Sequence, residues 1–298
     1  MTYSIVARDA ATGQLGVAVQ SRYFSVGSVV TWAEAGVGAV ATQSIANPDY
    51  GPRGIALMRT GLSAAQALAA LVENDAGRDV RQVAMVDAKG VASAHTGSSC
   101  IAAAGQIAGD GFSVQANMMV DESIWPAMHA AYVSARGDLA DRLLAALDAA
   151  QAAGGDIRGQ QSAALLVVEG ERSAKPWRGV VVELRVEDHA TPLTELRRLL
   201  GLQRAYKLVD AADEAAVDGR IDEAMARYEQ AFALAPDHDE LQFWAGIALF
   251  RQGREDDAIA LLGKAFAQNP AMARLVPRLV PLGLVRELDV GRITDLAG

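Results

Sequence analysis

The sequence predicts an α+β protein in which sheet layers are covered by helices, followed by a purely helical tail. Two observations predict the first part: apolar runs typical of strands come in groups, and these groups alternate with amphipathic helical segments rather than following strict β-α-β order. A third predicts the tail: after residue 190 the strand-like runs stop and an internal repeat of helical period begins.

Composition limits the classes of function that remain. Hydrophobic residues make up 51% of the chain but aromatic residues only 5%, so the core must consist mainly of Ala, Val, Leu and Ile. The formal net charge of −9 disfavours nucleic acid as a partner, because that binding depends on Lys and Arg. The only cysteine, Cys100, excludes an intramolecular disulfide and a Cys-cluster metal site. His129, His189 and His238 are scattered, and no pair has the spacing of metal ligands, so we expect no metal. We also expect no cofactor.

The beginning of the sequence shows no basic segment followed by an apolar run, so we predict no signal peptide. No apolar run approaches the roughly 20 residues of a membrane-spanning helix. Together with the lone cysteine, these features predict a cytoplasmic protein that is not embedded in a membrane.

Eight strands and four helices are predicted before the tail. We predict a hairpin from residues 3–7 and 15–19, because the turn formers of residues 9–13 separate these two runs. Residues 36–42 are apolar on both faces, which is typical of a strand covered on both sides. The other predicted strands are residues 82–86, 91–95, 112–117, and a closing antiparallel pair at 163–168 and 180–186. The predicted helices are residues 54–59, 64–72 (with Ser63 as N-cap), 125–134 and 139–152.

The tail carries a repeat of 34 residues, the period of tetratricopeptide repeats. Its repeated positions are Gly219, Ala224, Ala231 and Pro236, which recur as Gly253, Ala258, Ala265 and Pro270. Thr191 and Pro192 form an N-cap and first-turn pair at the start of the tail. We predict an α+β domain over residues 1–190 and a helical domain over 191–298, with repeats at about 205–236 and 239–270.

Two repeats are fewer than the three or so that a freestanding array needs. We therefore expect the tail to pack against the main domain, a protein partner or a second copy of the chain.

Thr2 is the first candidate for chemistry. Methionine is commonly removed before a small residue, which would leave Thr2 with a free α-amine of pKa about 7.7–8. Such an amine can accept the hydroxyl proton of its own residue and so activate a weak nucleophile.

Several segments around and beyond Thr2 resemble the domain of unknown function 1028 family. They are TYSIVARD at residues 2–9, GVAVQS at 16–21, GVGAVATQ at 36–43, NPDYGPRG at 47–54, HTG at 95–97 and GDIRGQQS at 155–162. The resemblance covers approximately residues 1–190. It implies the four-layer αββα fold of the N-terminal-nucleophile hydrolases, most of which hydrolyse amide bonds.

Other polar residues could complete such a site. Ser4 is the rival nucleophile, since it lies on the same strand face as Thr2. Asn117 and the run that contains Gln43 and Ser44 could donate to an oxyanion. His95 follows a strand and could orient a group or donate a proton. Each could equally be a structural residue that closes a strand or a turn.

A substrate-binding rim is expected in the loop over residues 47–54. Asn47, Tyr50 and Arg53 place an amide, a phenol and a guanidinium in that loop, although the loop could also be only a rigid connector. Arg22 and Arg53 could bind a substrate carboxylate.

The sequence thus favours an amidohydrolase that cleaves a small amide, neutral or anionic, through Thr2. The alternative is a non-catalytic binding or scaffold protein that uses the fold and the helical tail to hold a partner. Cleavage of longer peptide chains is a third hypothesis.

Overall fold

The computed structural model describes residues 2–297, without the side chains of Pro176 and Trp177. The chain forms two compact units, with the boundary between Arg198 and Leu199. The first unit contains the two sheets and the second is helical.

The elements of the first unit are, in chain order, β1 (Thr2–Arg8), β2 (Leu15–Ser21), α1 (Gly27–Val30), β3 (Thr31–Glu34), β4 (Gly38–Ser44), α2 (Tyr50–Arg59), α3 (Ala64–Glu73), β5 (Arg81–Asp87), β6 (Ala92–Thr96), β7 (Gly105–Gly109), β8 (Phe112–Asn117), α4 (Ile124–Ser134), α5 (Leu139–Ala152), β9 (Ser162–Val168) and β10 (Val180–Val186). Short 3₁₀ turns at Arg78–Val80 and Pro176–Gly179 precede β5 and β10.

The strands form two antiparallel sheets. The six-stranded sheet has the order β10-β9-β2-β1-β8-β7 and the four-stranded sheet has the order β3-β4-β5-β6. β1 is a central strand, paired with β2 on one side and β8 on the other. This register places Thr2 opposite both Ser21 and Asn117.

The two sheets pack face to face and each carries a helical pair on its outer face. α4 and α5 cover the six-stranded sheet, and α2 and α3 cover the four-stranded sheet. An apolar cluster that includes Val6, Val17, Ala41 and Val86 fills one end of the space between the sheets. The predicted α+β fold with four αββα layers is therefore confirmed.

The outer face of β1 is anchored to α5. Gly16 on the neighbouring strand lets this helix approach closely, because a Cβ there would lie 2.6 Å from Leu143 Cδ1. The Tyr3 hydroxyl donates to Gln151 Oε1 at 3.0 Å. Burial, with Asp148 and Asp156 nearby, raises the pKa of Tyr3 well above its ordinary value, so the phenol stays protonated and keeps donating.

Most predicted elements agree with the structure within a few residues. The hairpin and the closing antiparallel pair form as predicted, and Ser63 caps α3 in a capping box with Gln66.

Three elements, α1, β3 and β7, were not predicted. α1 and β3 have only four residues each, and β7 is a partly exposed edge strand that begins and ends with glycine, so it lacks the apolar alternation that marks a strand.

The second unit is built around the repeat. Its helices are α6 (Pro192–Val217, which begins before the boundary), α7 (Ile221–Leu234), α8 (Asp239–Arg251), α9 (Glu255–Gln268) and α10 (Val290–Thr294). Gly219 and Gly253 occupy the equivalent turns with φ of 78° and 76°. The repeated alanines are fully buried, and residues from the segment after α9, such as Val276 and Leu279, join the same core.

No helix in the described part of the chain is both long enough and apolar enough to span a membrane.

At two glycines of the second unit, substitution by alanine should change the stability of the repeat in opposite directions. A Cβ at Gly253 or at Gly263 would meet nothing within 4 Å, but only Gly253 has a positive φ, whereas Gly263 lies within α9. Gly253→Ala should lower the stability of the repeat by about 1 kcal/mol because of backbone strain. Gly263→Ala should raise it by about 0.5–1 kcal/mol. Native-state hydrogen exchange of α8 and α9 amides measures both, and changes of the same sign would contradict the assigned turn.

Candidate functional site

A cluster of polar side chains occupies the other end of the space between the two sheets. Seven of them are at most 3% exposed: Thr2, Ser4, Ser21, Gln43, Gln82, Gln115 and Asn117. They come from five strands of both sheets, and the alternation of strand side chains turns each of them inward. We call this cluster the inter-sheet network.

Thr2 is held within this network at the first position of β1. Its Oγ1 donates to Ser21 Oγ at 3.0 Å. Its carbonyl oxygen accepts from Gln43 Nε2 at 3.2 Å and from Asn117 Nδ2 at 3.4 Å. Both the hydroxyl and the backbone of Thr2 are therefore positioned by side chains from neighbouring strands. The removal of Met1 lies outside the described residues.

Gln82 is the hub of the network. Its Oε1 accepts from Gln43 Nε2 at 2.7 Å and from Asn117 Nδ2 at 2.9 Å, which joins the two sheets. Its Nε2 donates to the Thr96 hydroxyl and to the carbonyl oxygens of Ala116 and Gly105. One side chain thus satisfies groups on four other strands.

Ser4 lies two residues along β1 and has both of its hydrogen-bonding roles filled. Its Oγ donates to Gln43 Oε1 at 2.7 Å and accepts from Gln115 Nε2 at 2.6 Å. The residue is fully buried. This geometry makes Ser4 a connector between the sheets.

Asn117 carries a buried acceptor that no described residue satisfies. Its Nδ2 donates to Gln82 and Thr2, but its Oδ1 has no donor among residues 2–297. Rotating the amide by 180° would place the oxygen against two other oxygens, so the hydrogen bonds fix the orientation. A buried acceptor without a donor is costly, so this oxygen is a candidate acceptor for a further N–H or O–H group.

The inter-sheet network contains no ionisable side chain. Hydroxyls and carboxamides alone fill it, so its hydrogen bonds do not depend on pH over the ordinary range. Among residues 2–297, no group of three His, Cys, Asp or Glu side chains could hold a metal ion.

The structure places His95 away from the network. On β6, Thr96 lies opposite Gln82 and faces the network, so His95 points to the opposite face of the sheet. Its Nε2 lies 2.9 Å from the Arg78 carbonyl oxygen.

Asn47, Tyr50 and Arg53 come together in a different place. They line a cavity of about 70 Å³ beside the start of α2, with Asp75 and neighbouring residues. The Tyr50 hydroxyl donates to Asp75 Oδ2 at 3.1 Å, and burial together with this carboxylate raises the pKa of Tyr50 to about 12. The lining of this cavity does not include Thr2, Ser4, Gln43 or Asn117.

The strand ends near Thr2 carry strained backbone. Among residues 2–297, three residues other than glycine have positive φ: Ser25 (54°), Ser44 (72°) and Met118 (54°). Ser44 ends β4, Met118 directly follows β8, and Ser25 lies in the loop after β2. These three strands end where β1 begins, and we call this side of the sandwich the Thr2 edge. Strained residues of this kind concentrate at functional sites.

Arg22 also lies at the Thr2 edge, directly after β2. Its backbone N–H donates to the buried Asp156 Oδ2 at 3.1 Å, and its Nη1 donates to the Gln160 carbonyl oxygen at 3.0 Å. The structure therefore brings Thr2, Ser4, Gln43 and Asn117 into one network, places Arg22 and Ser44 at its margin, and separates the remaining predicted site residues from it.

Sequence reasoning did not single out Ser21, Gln82 and Gln115 as site residues. The available signal was their position, since each is a polar residue on the inward face near an end of a strand that is otherwise mostly apolar. That signal becomes readable only when the inward face of each strand is known.

The fold and the network define a two-sheet αββα protein with a hydroxyl residue at the head of a central strand. Comparison with known proteins adds the family: the chain belongs to the family of unknown function DUF1028, whose family model matches residues 2–196. A tetratricopeptide repeat model matches residues 204–277.

A solved structure agrees with this assignment. A DUF1028 protein from Silicibacter pomeroyi is 32% identical, with a TM-score of 0.61, over 67% of this chain and 84% of that chain. No curated protein matches the chain.

The hub position of Gln82 predicts a large loss of stability on substitution. Gln82→Met keeps the volume but leaves donors of Gln43 and Asn117 and the Ala116 carbonyl without their partner. We expect a loss of about 3 kcal/mol in the free energy of unfolding, measured by urea denaturation. The control is Gln106→Met, which removes two hydrogen bonds at a half-buried site and should cost about 1 kcal/mol. Equal losses would contradict the hub role.

A charged variant at the same position should make stability depend on pH. Burial and the facing carbonyls of Ala116 and Gly105 disfavour a carboxylate, so Gln82→Glu should have a folded-state pKa above the unfolded value of about 4.3. Its stability relative to wild type should be greatest below about pH 4 and fall as pH rises through the folded-state pKa. Urea denaturation at several pH values measures the difference, and a difference independent of pH would show that residue 82 is solvated.

Proposed function

We propose that this protein is an amide hydrolase whose nucleophile is Thr2 Oγ1 and whose general base is the α-amine of the same residue. The observation that carries the proposal is the position of Thr2. It heads a central strand, it is held by side chains from both sheets, and strained loops surround that strand end.

The chemistry needs no other ionisable group. The α-amine takes the proton from Oγ1 as the oxygen attacks the amide carbonyl carbon, which forms a tetrahedral intermediate. The carbon–nitrogen bond then breaks, the leaving amine takes the proton from the α-ammonium, and an ester on Thr2 remains. Water attacks this ester with the α-amine again as base. The ester bond breaks, Oγ1 regains a proton, and the carboxylic acid leaves.

The surroundings of Thr2 favour a neutral amine. The side chains bonded to Thr2 are uncharged, and burial disfavours an ammonium group, so the α-amine of a processed Thr2 should be available as a base. Asn117 Oδ1, which has no donor among residues 2–297, can accept a hydrogen bond from this amine or from the N–H group of a substrate.

We also propose roles for the remaining candidates from their hydrogen bonds. The amide N–H groups of Gln43 and Asn117 already donate to protein acceptors, so we propose that these residues position Thr2 rather than bind an oxyanion. Ser4 is fully buried with both roles filled, and we propose a structural role for it.

The helical unit supports a second role. Tetratricopeptide repeats commonly mediate protein interactions, and the matched segment covers residues 204–277. Thr2 is only 3% exposed, which favours a non-catalytic scaffold if no substrate reaches it. A non-catalytic scaffold is therefore the alternative hypothesis that the experiment has to exclude.

Covalent labelling with a β-lactone probe tests the nucleophile. We expect one adduct per chain, mapped to Thr2 by peptide mass spectrometry. Thr2→Ser should retain labelling because it keeps the hydroxyl, and Thr2→Ala should lose it. The matched control is Ser4→Ala, which removes a buried hydroxyl two residues away and should still be labelled at Thr2.

A second control separates the amine from the hydroxyl. Insertion of alanine between Met1 and Thr2 keeps the hydroxyl but moves the free amine to another residue, so labelling should disappear while the melting temperature stays close to that of wild type. An adduct on Ser4, or the absence of any adduct on a well-folded wild-type protein with a free Thr2 amine, would contradict the proposal and favour the scaffold.

A further inference from the structure

Most of the exposed large apolar side chains in the described part of the first unit lie at the Thr2 edge. In the described part of the first unit, six large apolar residues that are 46–63% exposed lie in the loops at this edge: Tyr23, Phe24, Ile45, Ile101, Val120 and Ile157. We call these six residues the apolar rim. Three further exposed apolar residues, Val91, Val133 and Val180, lie elsewhere on the unit.

Backbone hydrogen bonds join one part of the rim. The Met118 N–H donates to the Ile101 carbonyl oxygen at 3.0 Å, and the Ile157 N–H donates to the Met118 carbonyl oxygen at 3.4 Å. The Val120 N–H donates to the Gly155 carbonyl oxygen at 3.1 Å. The loops that carry Ile101, Val120 and Ile157 are therefore neighbours.

Arg81 links Ile45 to the same series of loops. Arg81 Nη1 donates to the Ile45 carbonyl oxygen at 2.6 Å, and Cys100 Sγ donates to the Arg81 carbonyl oxygen at 3.3 Å. Cys100 directly precedes Ile101. At the other end, the Arg22 N–H donates to Asp156 Oδ2, so the loop with Tyr23 and Phe24 follows the one with Ile157. The loops that carry the rim therefore form an arc around the head of β1.

The charges at this edge do not favour an anionic ligand. The exposed Arg22 flanks Tyr23, but Asp121 and Glu122 are exposed next to Val120. Arg158, next to Ile157, is paired with Asp156 at 2.8 Å. Beneath the rim, the inter-sheet network is uncharged. The arc therefore presents hydrocarbon and aromatic surface with no dominant charge.

Building on the proposed hydrolase, we propose that the apolar rim binds the acyl part of the substrate and that the substrate is an amide of a medium-chain or aromatic carboxylic acid. The acyl part is the one that stays on Thr2 through both chemical steps, so the loops around Thr2 have to hold it. Contact with apolar surface then selects for chain length, since burying one methylene changes binding by up to about fourfold.

A series of acyl amides of 7-amino-4-methylcoumarin tests the selectivity, because the leaving group stays the same. For wild type, kcat/KM should rise about twofold to fourfold per methylene from acetyl to octanoyl. Phe24→Ser and Ile157→Ser should reduce this increase per methylene, because they should lower kcat/KM for the octanoyl amide more than for the acetyl amide. The control is Val133→Ser, a residue 60% exposed on α4, which should leave the rise unchanged.

A binding measurement keeps the two proposals separable. 2-Decanone has the chain and the carbonyl but no amide bond to cleave, and it should raise the melting temperature of wild type more than of Ile157→Ser, while acetone has no effect on either. Binding of this kind without turnover would overturn the hydrolase and support the rim.

If the amides are hydrolysed but kcat/KM does not change with acyl chain length, the proposed role of the rim is overturned and the proposed hydrolase activity is retained. A flat series combined with a change of oligomeric state in Phe24→Ser or Ile157→Ser, seen by light scattering, would also overturn it and assign the arc to an interface between copies of the chain.

Discussion

The structure of the first unit depends on the hydrogen-bond satisfaction of uncharged polar side chains between two sheets. Carboxamides and hydroxyls buried there are costly unless each finds a partner. Gln82 provides several of these partners at once, since it binds Gln43 within its own sheet and Asn117 of the other sheet. This requirement fixes how one sheet sits on the other, and the apolar cluster at the opposite end supplies the burial.

The same requirement places Thr2. Because its carbonyl oxygen accepts from Gln43 and Asn117, the head of β1 cannot shift without breaking bonds to both sheets. A catalytic group needs this kind of support from neighbours that are themselves held in place. The strand ends and loops around Thr2, by contrast, contain Ser25, Ser44 and Met118, whose backbone is strained. Thr2 therefore lies between a hydrogen-bonded interior and an edge of strained backbone.

The sequence predicted the layers well, because their physical signals are local. The hairpin at the start, the Ser63 cap and the turns at Gly219 and Gly253 each depend on a few adjacent residues. The network was less predictable, because it depends on which face of each strand points inward. His95 and Thr96 are adjacent, yet only Thr96 faces the network, and the residues next to them give no signal of which one does. Gln82 was likewise read only as the first residue of a strand, since its partners come from distant parts of the chain.

The proposed mechanism requires Thr2 to be the N-terminal residue of the working protein and to carry a free amine. Mass spectrometry of the N-terminal peptide from untagged protein, purified from its native host, tests this directly. The expected result is a peptide that begins at Thr2 with an unmodified α-amine. Retained Met1, an acetylated Thr2 or a longer segment before Thr2 would contradict it, because the hydroxyl would then have no amine of its own as base.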